Sequence, residues 1–548
     1  MGKNKVLRGV IIAVIALVAL GIYYYVTIPA INIHSTGTWG VILLLVVALM
    51  ALSLLRQLKK NRQTTVEGVE HFRFTLKESS LTFKILGILG LLLCLVYLIG
   101  SLMSSPFFNA AKYQQLLTIE EKVFTDDIKE VDYKTIPLLD KASASLLGNR
   151  KMGSMVDMVS QFEVTEDYTQ VNYQGKPVRV TPLTYASTIK WLTNQSDGIP
   201  AYILIDMTTQ DTECVKLAEG IKYSKGEYFN RNIYRHLRFK YPTYIFDNQI
   251  FFEIDEEGTP YWVCPVKKFN IGLFGGQTIG RVVLCNAQTG ECIDYAVEEV
   301  PTWIDKVYSA ELLLSLYDYS GLLKHGFWNS VLGQKDCLQS TNGYNYIALE
   351  DDVWVYTGVT SVSGDQSNVG FVLMNQRTME TRYYKVEGAI EDSAMSSAEG
   401  QVQNLGYQAT FPLLLNIADE PTYFMALKDG AGLVKKYAMV NVQKYQWVAI
   451  GDTVQECEKN YMELLNTNGI VSEISGEVKS VTGKIESISP VVLEGNTHYY
   501  ICLEKQEDIY DINMARTELI QIVKYKEGDS ITFDYIQGYG LSEVQAIK

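Results

Sequence analysis

Between Arg8 and Arg56 the sequence holds no Asp, Glu, Lys or Arg, and a second charge-free run extends from Ile85 to Met103. Backbone placed in hydrocarbon must satisfy its own polar groups, so such runs fold as helices. One crossing takes roughly 20 residues. The first run is too long for that and is divided by a polar stretch at residues 32–38. The pattern predicts a membrane region, 1–105, with three helices at about 9–28, 39–55 and 85–103 and a loop at 56–84.

Basic residues set the orientation. Lys3, Lys5 and Arg8 precede the first helix, and Arg56, Lys59, Lys60, Arg62, Arg73, Lys77 and Lys84 lie between the second and third, whereas residues 29–38 carry none. The N-terminus and the loop 56–84 are therefore expected in the cytoplasm, and residues after about 104 outside the cell membrane. The first apolar run is longer than a secretory signal core and lacks a small-x-small cleavage site, so it reads as a retained helix.

This partition resolves the formal charge of −14. The first 103 residues hold 10 basic and 3 acidic side chains, against 38 and 59 in the remainder, giving +7 and −21. An acidic exported part lacks the basic face that nucleic acid requires, and it disfavours anionic lipid or wall polymers as docking partners. Eight cysteines in 548 residues exclude a disulfide scaffold.

The exported part repeats a pattern of helix-compatible stretch, hairpin and second hairpin, which predicts an α+β class of tandem small domains. The clearest copy begins at Phe229, carries Phe251-Phe252-Glu253-Ile254 and closes with Arg281-Val282-Val283-Leu284-Cys285-Asn286-Ala287-Gln288-Thr289-Gly290-Glu291-Cys292. Looser copies surround Tyr202–Val215, Phe371–Tyr384 and Leu413–Val440, the first read with a lengthened turn and the last without the turn motif. Asn286 can bond amides just ahead of it, and Gly290 can take the positive φ that closes the loop. Expected boundaries are 106–225, 226–305, 306–390 and 391–470. From 471 to 548 the chain is strand-rich, with a long first strand and a helix-compatible connection near Met514–Leu519, which predicts an OB-like β-barrel.

An apolar strand, Asp/Asn-x-x-Thr-Gly-Glu and a further strand, preceded by a helix, resembles the PepSY domain of exported bacterial proteins. Asn286, Thr289, Gly290 and Glu291 carry the motif in the second copy; Asn375, Thr378 and Glu380 carry it in the third, with Met379 replacing the glycine. The resemblance implies a cystatin-like fold, with a helix packed on an antiparallel sheet, and an association with peptidase propeptides and envelope proteins. The whole chain is similar to uncharacterised multi-domain membrane proteins of Gram-positive bacteria.

Catalytic motifs are absent from the sequence. The five histidines are scattered, with no His-Glu-x-x-His, Cys-x-x-Cys or phosphate-binding loop. Gly272-Leu273-Phe274-Gly275-Gly276 lacks the lysine of a phosphate loop and reads as a mobile or closely packed connection. Ser187-x-x-Lys190 has the spacing of a nucleophile and its base but no partner motif, and reads as part of an amphipathic helix. Asp255-Glu256-Glu257 and Glu350-Asp351-Asp352 read as solvated turn tips rather than calcium loops. Cys285 and Cys292 flank a turn and are disulfide candidates, with Cys264 as an alternative partner and reduced thiols as the competing reading. No catalytic, cofactor or metal residue is assigned. The expected function is a membrane-anchored extracytoplasmic binding or scaffold protein. It would present its modules to an envelope protein partner, held in the bilayer by three helices, without nucleic acid; the alternative is an accessory subunit of an envelope enzyme or transporter.

Overall fold

Three helices lead the chain: α1 (Val18–Thr27), α2 (Thr36–Lys60) and α3 (Leu81–Met103). The computed structural model describes residues 14–15, 18–60, 63–64, 70–71, 80–129, 136–137, 139–361, 367–468, 478–493, 496–506, 508–514, 517–537 and 542–548. Both α2 and α3 are long and apolar enough to cross a membrane, with a mean hydropathy of 2.6 each. No residue of α3 is buried by protein, and an apolar surface on every side of a helix suits lipid. Much of the first predicted span lies outside the described residues; its described part is helical but shorter than a full crossing. α3 begins four residues before the predicted start because Ser80 caps it, accepting the Phe83 N–H. Short strands β1 (Gln63–Thr64) and β2 (Glu70–His71) pair between α2 and α3.

After α3 come α4 (Pro106–Gln114), β3 (Glu120–Lys122) and α5 (Phe124–Asp127). Four helix-and-sheet repeats follow. The first has α6 (Lys141–Gly153), β4 (Phe162–Val164), β5 (Thr169–Tyr173), β6 (Lys176–Tyr185), α7 (Thr188–Asn194), β7 (Ile199–Asp206) and β8 (Thr212–Ile221). The second has α8 (Ile233–Lys240) and the antiparallel sheet β9 (Phe251–Ile254), β10 (Pro260–Ile271), β11 (Gly275–Asn286) and β12 (Cys292–Ala296). In the third, α9 (Ala310–Leu322) precedes β13 (Leu338–Ser340), β14 (Asn345–Leu349), β15 (Asp352–Ser361), β16 (Ser367–Asn368), β17 (Gly370–Asn375), β18 (Thr381–Tyr384) and β19 (Gly388–Ala389). Strand β3 adds to this sheet in parallel beside β18. The fourth has α10 (Glu391–Gln401), β20 (Gln408–Ala409), β21 (Leu413–Ile417), β22 (Glu420–Lys428), β23 (Val434–Asn441) and β24 (Val448–Gly451), and α11 (Val454–Thr467) follows.

One turn device closes each sheet. Asn286 Oδ1 accepts the N–H groups of Gln288 and Thr289, both at 2.9 Å, and Gly290 sits at φ +73°. Asn375 does the same for Arg377 and Thr378, with Met379 at φ +66°. In the first repeat Asp206 caps Thr208 and Thr209, with Gln210 at φ +65°. This corrects the expectation of a lengthened turn there, because the turn has the same length once Asp206 is aligned with Asn286. In the fourth, Asn441 caps Gln443 and Lys444, so the device persists where the sequence motif is missing. The side-chain oxygen does the work, and Asp supplies it as well as Asn.

The residues fall into two compact units, Met1–Asn460 and Tyr461–Lys548. In the first unit, the sheet of the second repeat is buried on both faces. Phe252, Ile254, Trp262, Cys264, Val283 and Cys285 join the core of the first repeat, while Phe251, Val263, Val282 and Leu284 join that of the third. Side chains alternate across a strand, so one sheet can serve two cores. In the second unit, β25 (Lys479–Leu493), β26 (Asn496–Leu503), β27 (Ile509–Asn513), β28 (Ser530–Ile536) and β29 (Ser542–Ile547) close a barrel in the order β25-β26-β27-β29-β28. The long first strand pairs with both β26 and β28, β27 and β29 run parallel, and a 3-10 helix (Thr517–Lys524) joins β27 to β28. This arrangement fits the OB type.

The glycine-rich loop between β10 and β11 is closely packed. It docks on the helix ends: Ser104 Oγ accepts the N–H groups of Leu273 and Phe274 at 2.7 and 3.0 Å, and His34 Nδ1 meets the Leu273 carbonyl at 2.7 Å. A Cβ on Gly275 would lie 2.2 Å from the Ser104 carbonyl oxygen. Gly275→Ala is therefore expected to destabilise this docking by about 1–3 kcal/mol. Thermal melting and protease sensitivity of the solubilised chain check it against Gly430→Ala, where a Cβ meets nothing within 4 Å.

Candidate functional site

A cavity of about 570 Å³ opens where the repeats of the first unit meet, a size that suits a small molecule. Its chemistry is set by Arg179 and Lys306. Arg179 lies in β6 between Val178 and Val180, which fill the first core; the alternation of the strand turns the guanidinium to the opposite side. Its nearest bonds are long, 3.4 Å from Nε to the Leu139 carbonyl and 3.5 Å to Gln170 Oε1. Lys306 precedes α9, and its Nζ lies 4.3 Å from the centre of the Tyr346 ring and 5.5 Å from that of Phe251. Both residues line the cavity and are only 4% and 6% exposed. Among the described residues, neither has a carboxylate within ion-pair distance.

Two buried carboxyls hold this geometry. Glu253, on β9, accepts the backbone N–H groups of Asp305 and Lys306, both at 3.0 Å, and so fixes the segment that carries the lysine. Asp305 accepts the Asn172 N–H at 2.6 Å and ties the same segment to β5. Burial pushes the Glu253 carboxyl up to about 8 and outweighs the amides and Lys306, which favour its charged form. Burial and the neighbouring Glu253 likewise raise Asp305 well above the usual carboxylate range. Lys306 is lowered to about 8 by burial and by the nearby Arg179. Near neutrality Glu253 is thus mostly neutral while both cations remain charged, burial also favours the neutral form of Asp305, and the chamber is electropositive inside an acidic chain.

Of the rim carboxylates, Asp140 and Asp167 are paired with other lysines, while Glu311 is held by a neutral hydroxyl and keeps its charge, which favours the charged form of Lys306. Asp140 bonds Lys428 at 2.6 Å, Asp167 bonds Lys225 at 2.8 Å, and Glu311 accepts the Tyr344 hydroxyl at 2.9 Å. Tyr344, Tyr346, Phe251 and Phe411 supply apolar wall beside the cations. The arrangement can hold an anion with a planar or apolar part. It shows no nucleophile paired with a base.

The residues singled out in the sequence lie away from the chamber. Asn286, Thr289, Gly290, Glu291, Asn375, Thr378 and Glu380 build turns, and Glu380 also bonds Arg382 at 2.7 Å. Ser187 caps α7 and accepts the Lys190 N–H, which leaves no dyad between their side chains. The acidic tips diverge. Asp255 caps its own turn through Glu257 and Thr259, whereas Asp352 is buried and bonds Arg377 at 2.6 Å and Glu350 bonds Arg382 at 2.8 Å, so the second cluster is not simply solvated. Cys285 and Cys292 stand directly opposite each other as free thiols, and Cys264 is also free. The facing Cys285 thiol lowers Cys292 below the usual thiol range, and His236 and Lys240 add to this. Arg179, Glu253 and Lys306 escaped sequence reasoning; for Arg179 and Glu253 the available signal was a lone charge inside an otherwise apolar strand, and Lys306, in the segment before α9, offered none.

No protein-family model and no curated protein matches the chain. Among solved structures, it is similar to a crystal structure of an ACO/RPE65 chimera at 8% identity and a TM-score of 0.14, over 72% of this chain and 66% of that one. The chain thus spans just under two thirds of that structure, and the overlap is too low to carry any conclusion on fold.

The buried carboxyls predict a pH dependence. Glu253 has an ordinary value of 4.5 and a folded value of about 8, so the folded chain binds more protons than the unfolded chain between them and stability falls as pH rises through that window. Lys306, with an ordinary value of 10.5 and a folded value of about 8, has the opposite effect between those limits, where stability rises with pH. Glu253→Gln should flatten the decline between about pH 5 and 8 by up to about 1.4 kcal/mol per pH unit. Thermal melts across this range check the slope; an unchanged slope would contradict the assignment.

Proposed function

We propose that this chain is a membrane-anchored extracytoplasmic binding protein whose inter-repeat chamber takes a small organic anion. The observation that carries this reading is the pair of buried cations, Arg179 and Lys306, lining one cavity with no carboxylate in ion-pair distance among the described residues. An uncompensated buried charge costs several kcal/mol, and an anionic ligand would remove that cost for both residues. Two helices that fit a membrane supply the anchor. The charge asymmetry of the loops supports a cytoplasmic N-terminus and an external location after about residue 104. The repeated helix-then-sheet order supports the likeness to PepSY modules.

An envelope protein partner is the second reading. It is favoured by an exposed apolar group at Trp328, Val331 and Leu332, where Trp328 packs edge-on against Phe107 at 5.6 Å.

The first reading is tested on the full chain in detergent with phenyl phosphate and citrate as probes. Phenyl phosphate is expected to raise the melting temperature of the parent chain, and Lys306→Met or Arg179→Met to weaken its binding at least tenfold, about 1.4 kcal/mol. Binding that is equally strong in both variants, or no response to any anion in the parent, would sink the chamber. Orientation is tested separately with Val156→Cys, at an 87% exposed position. An impermeant maleimide should reach it in intact cells; labelling only after lysis would reverse the topology.

A further inference from the structure

His236, Cys285 and Cys292 each offer one ligand atom, and these atoms lie within 4.8 Å of one another. We propose that these three side chains bind one thiophilic divalent transition metal, of the zinc type, at the base of the β11–β12 turn. The site is separate from the anion chamber and does not depend on it.

The sheet register brings the sulfurs together. Cys285 is paired with Cys292, and the adjoining pair makes the ladder bond from the Asn286 N–H to the Glu291 carbonyl at 2.8 Å. The two cysteines therefore form a non-hydrogen-bonded pair, the closer kind, with both side chains on one face. Helix α8 lies over that face, since Ile233 and Leu237 share a core with Cys285. The helix places a ligand nitrogen of His236 within 4.8 Å of both sulfurs.

The two thiols are free, and the geometry admits a metal between them. Cβ atoms of directly opposed residues stand about 4.5–5.5 Å apart, whereas a disulfide prefers about 3.8 Å. A tetrahedral metal with bonds of about 2.3 Å holds its sulfurs about 3.8 Å apart, which rotation about χ1 can reach from the observed cluster. Two thiolates also balance a divalent charge, and three protein ligands leave a fourth position for water.

The surroundings are organised around the Gly290 carbonyl. His236 Nε2 meets it at 2.7 Å and Lys240 Nζ donates to it at 3.0 Å, so Lys240 keeps the carbonyl satisfied if the imidazole turns to the metal. Tyr223 stacks near His236 with ring centres 4.5 Å apart. A side chain on Gly290 would strike the Tyr223 ring at 2.4 Å, which keeps this wall of the site closed.

The test uses the full chain, purified in detergent with reductant and without a histidine tag, and titrated anaerobically with Co²⁺ and then Zn²⁺. The expected result is one Co²⁺ per chain with a thiolate-to-cobalt charge-transfer band that Zn²⁺ displaces. Cys292→Ser and His236→Ala should each lower affinity at least tenfold, while His236→Cys and Cys214→Ser retain binding. His236→Ala and His236→Cys leave both thiols in place, which keeps the test valid if a serine variant fails to fold. Absence of the band in the parent chain would overturn the site. So would an unchanged band in Cys285→Ser/Cys292→Ser, or a Cys285–Cys292 disulfide formed on air exposure despite bound Zn²⁺.

Discussion

The sheet β9–β12 is the constraint on which the first unit depends, because it is buried on both faces. Trp262 and Phe252 face one core, and Val263 and Phe251 face the other. Burying such a side chain stabilises the fold by about 1.5–3 kcal/mol, so separating the repeats would expose apolar surface on both sides of one sheet. The repeats therefore cannot behave as independent beads. The same sheet extends β10 and β11 to a tip that meets Ser104 and His34, which joins the apolar N-terminal helices to the core.

Glu253 occurs where this double burial meets polarity. It lies on the third-repeat face of β9 beside Phe251, and its two bonds to backbone amides hold Asp305 and Lys306 in place. Burial pushes this carboxyl up to about 8 and the lysine down to about 8, so near neutrality the carboxyl is mostly neutral and the lysine mostly charged. Apolar burial, and not surface charge, thus makes the chamber electropositive in a chain of net charge −14. The other face of the same sheet carries Cys285, beside Cys292 and beneath His236. Both candidate sites are consequences of one sheet serving two cores.

Much of the architecture was legible locally. Apolar length marked α2 and α3, and strand alternation marked the hairpins. The turn at Asn286 could be read because its capping oxygen and its glycine are neighbours in sequence. The turn at Asn441 was missed because the capping oxygen persists without the flanking motif. The ion pair between Arg377 and Asp352 was also missed, since a turn tip in sequence looks solvated until a neighbouring turn places an arginine beside it.

The sequence by itself determined the apolar helices, the charge asymmetry, the α+β repeat and the closed barrel, because each depends on periodicity or composition within a short window. Only the tertiary structure decided that the sheet of the second repeat has no solvent face, that Arg179 and Lys306 share a cavity, and that His236 meets two cysteines of another element. The cavity depends on residues more than a hundred positions apart, and the cluster around His236 on residues about fifty apart. A lone charge within an apolar strand carries no record of which distant cation or carboxyl will stand beside it, and burial, which sets its chemistry, exists only once the chain is folded.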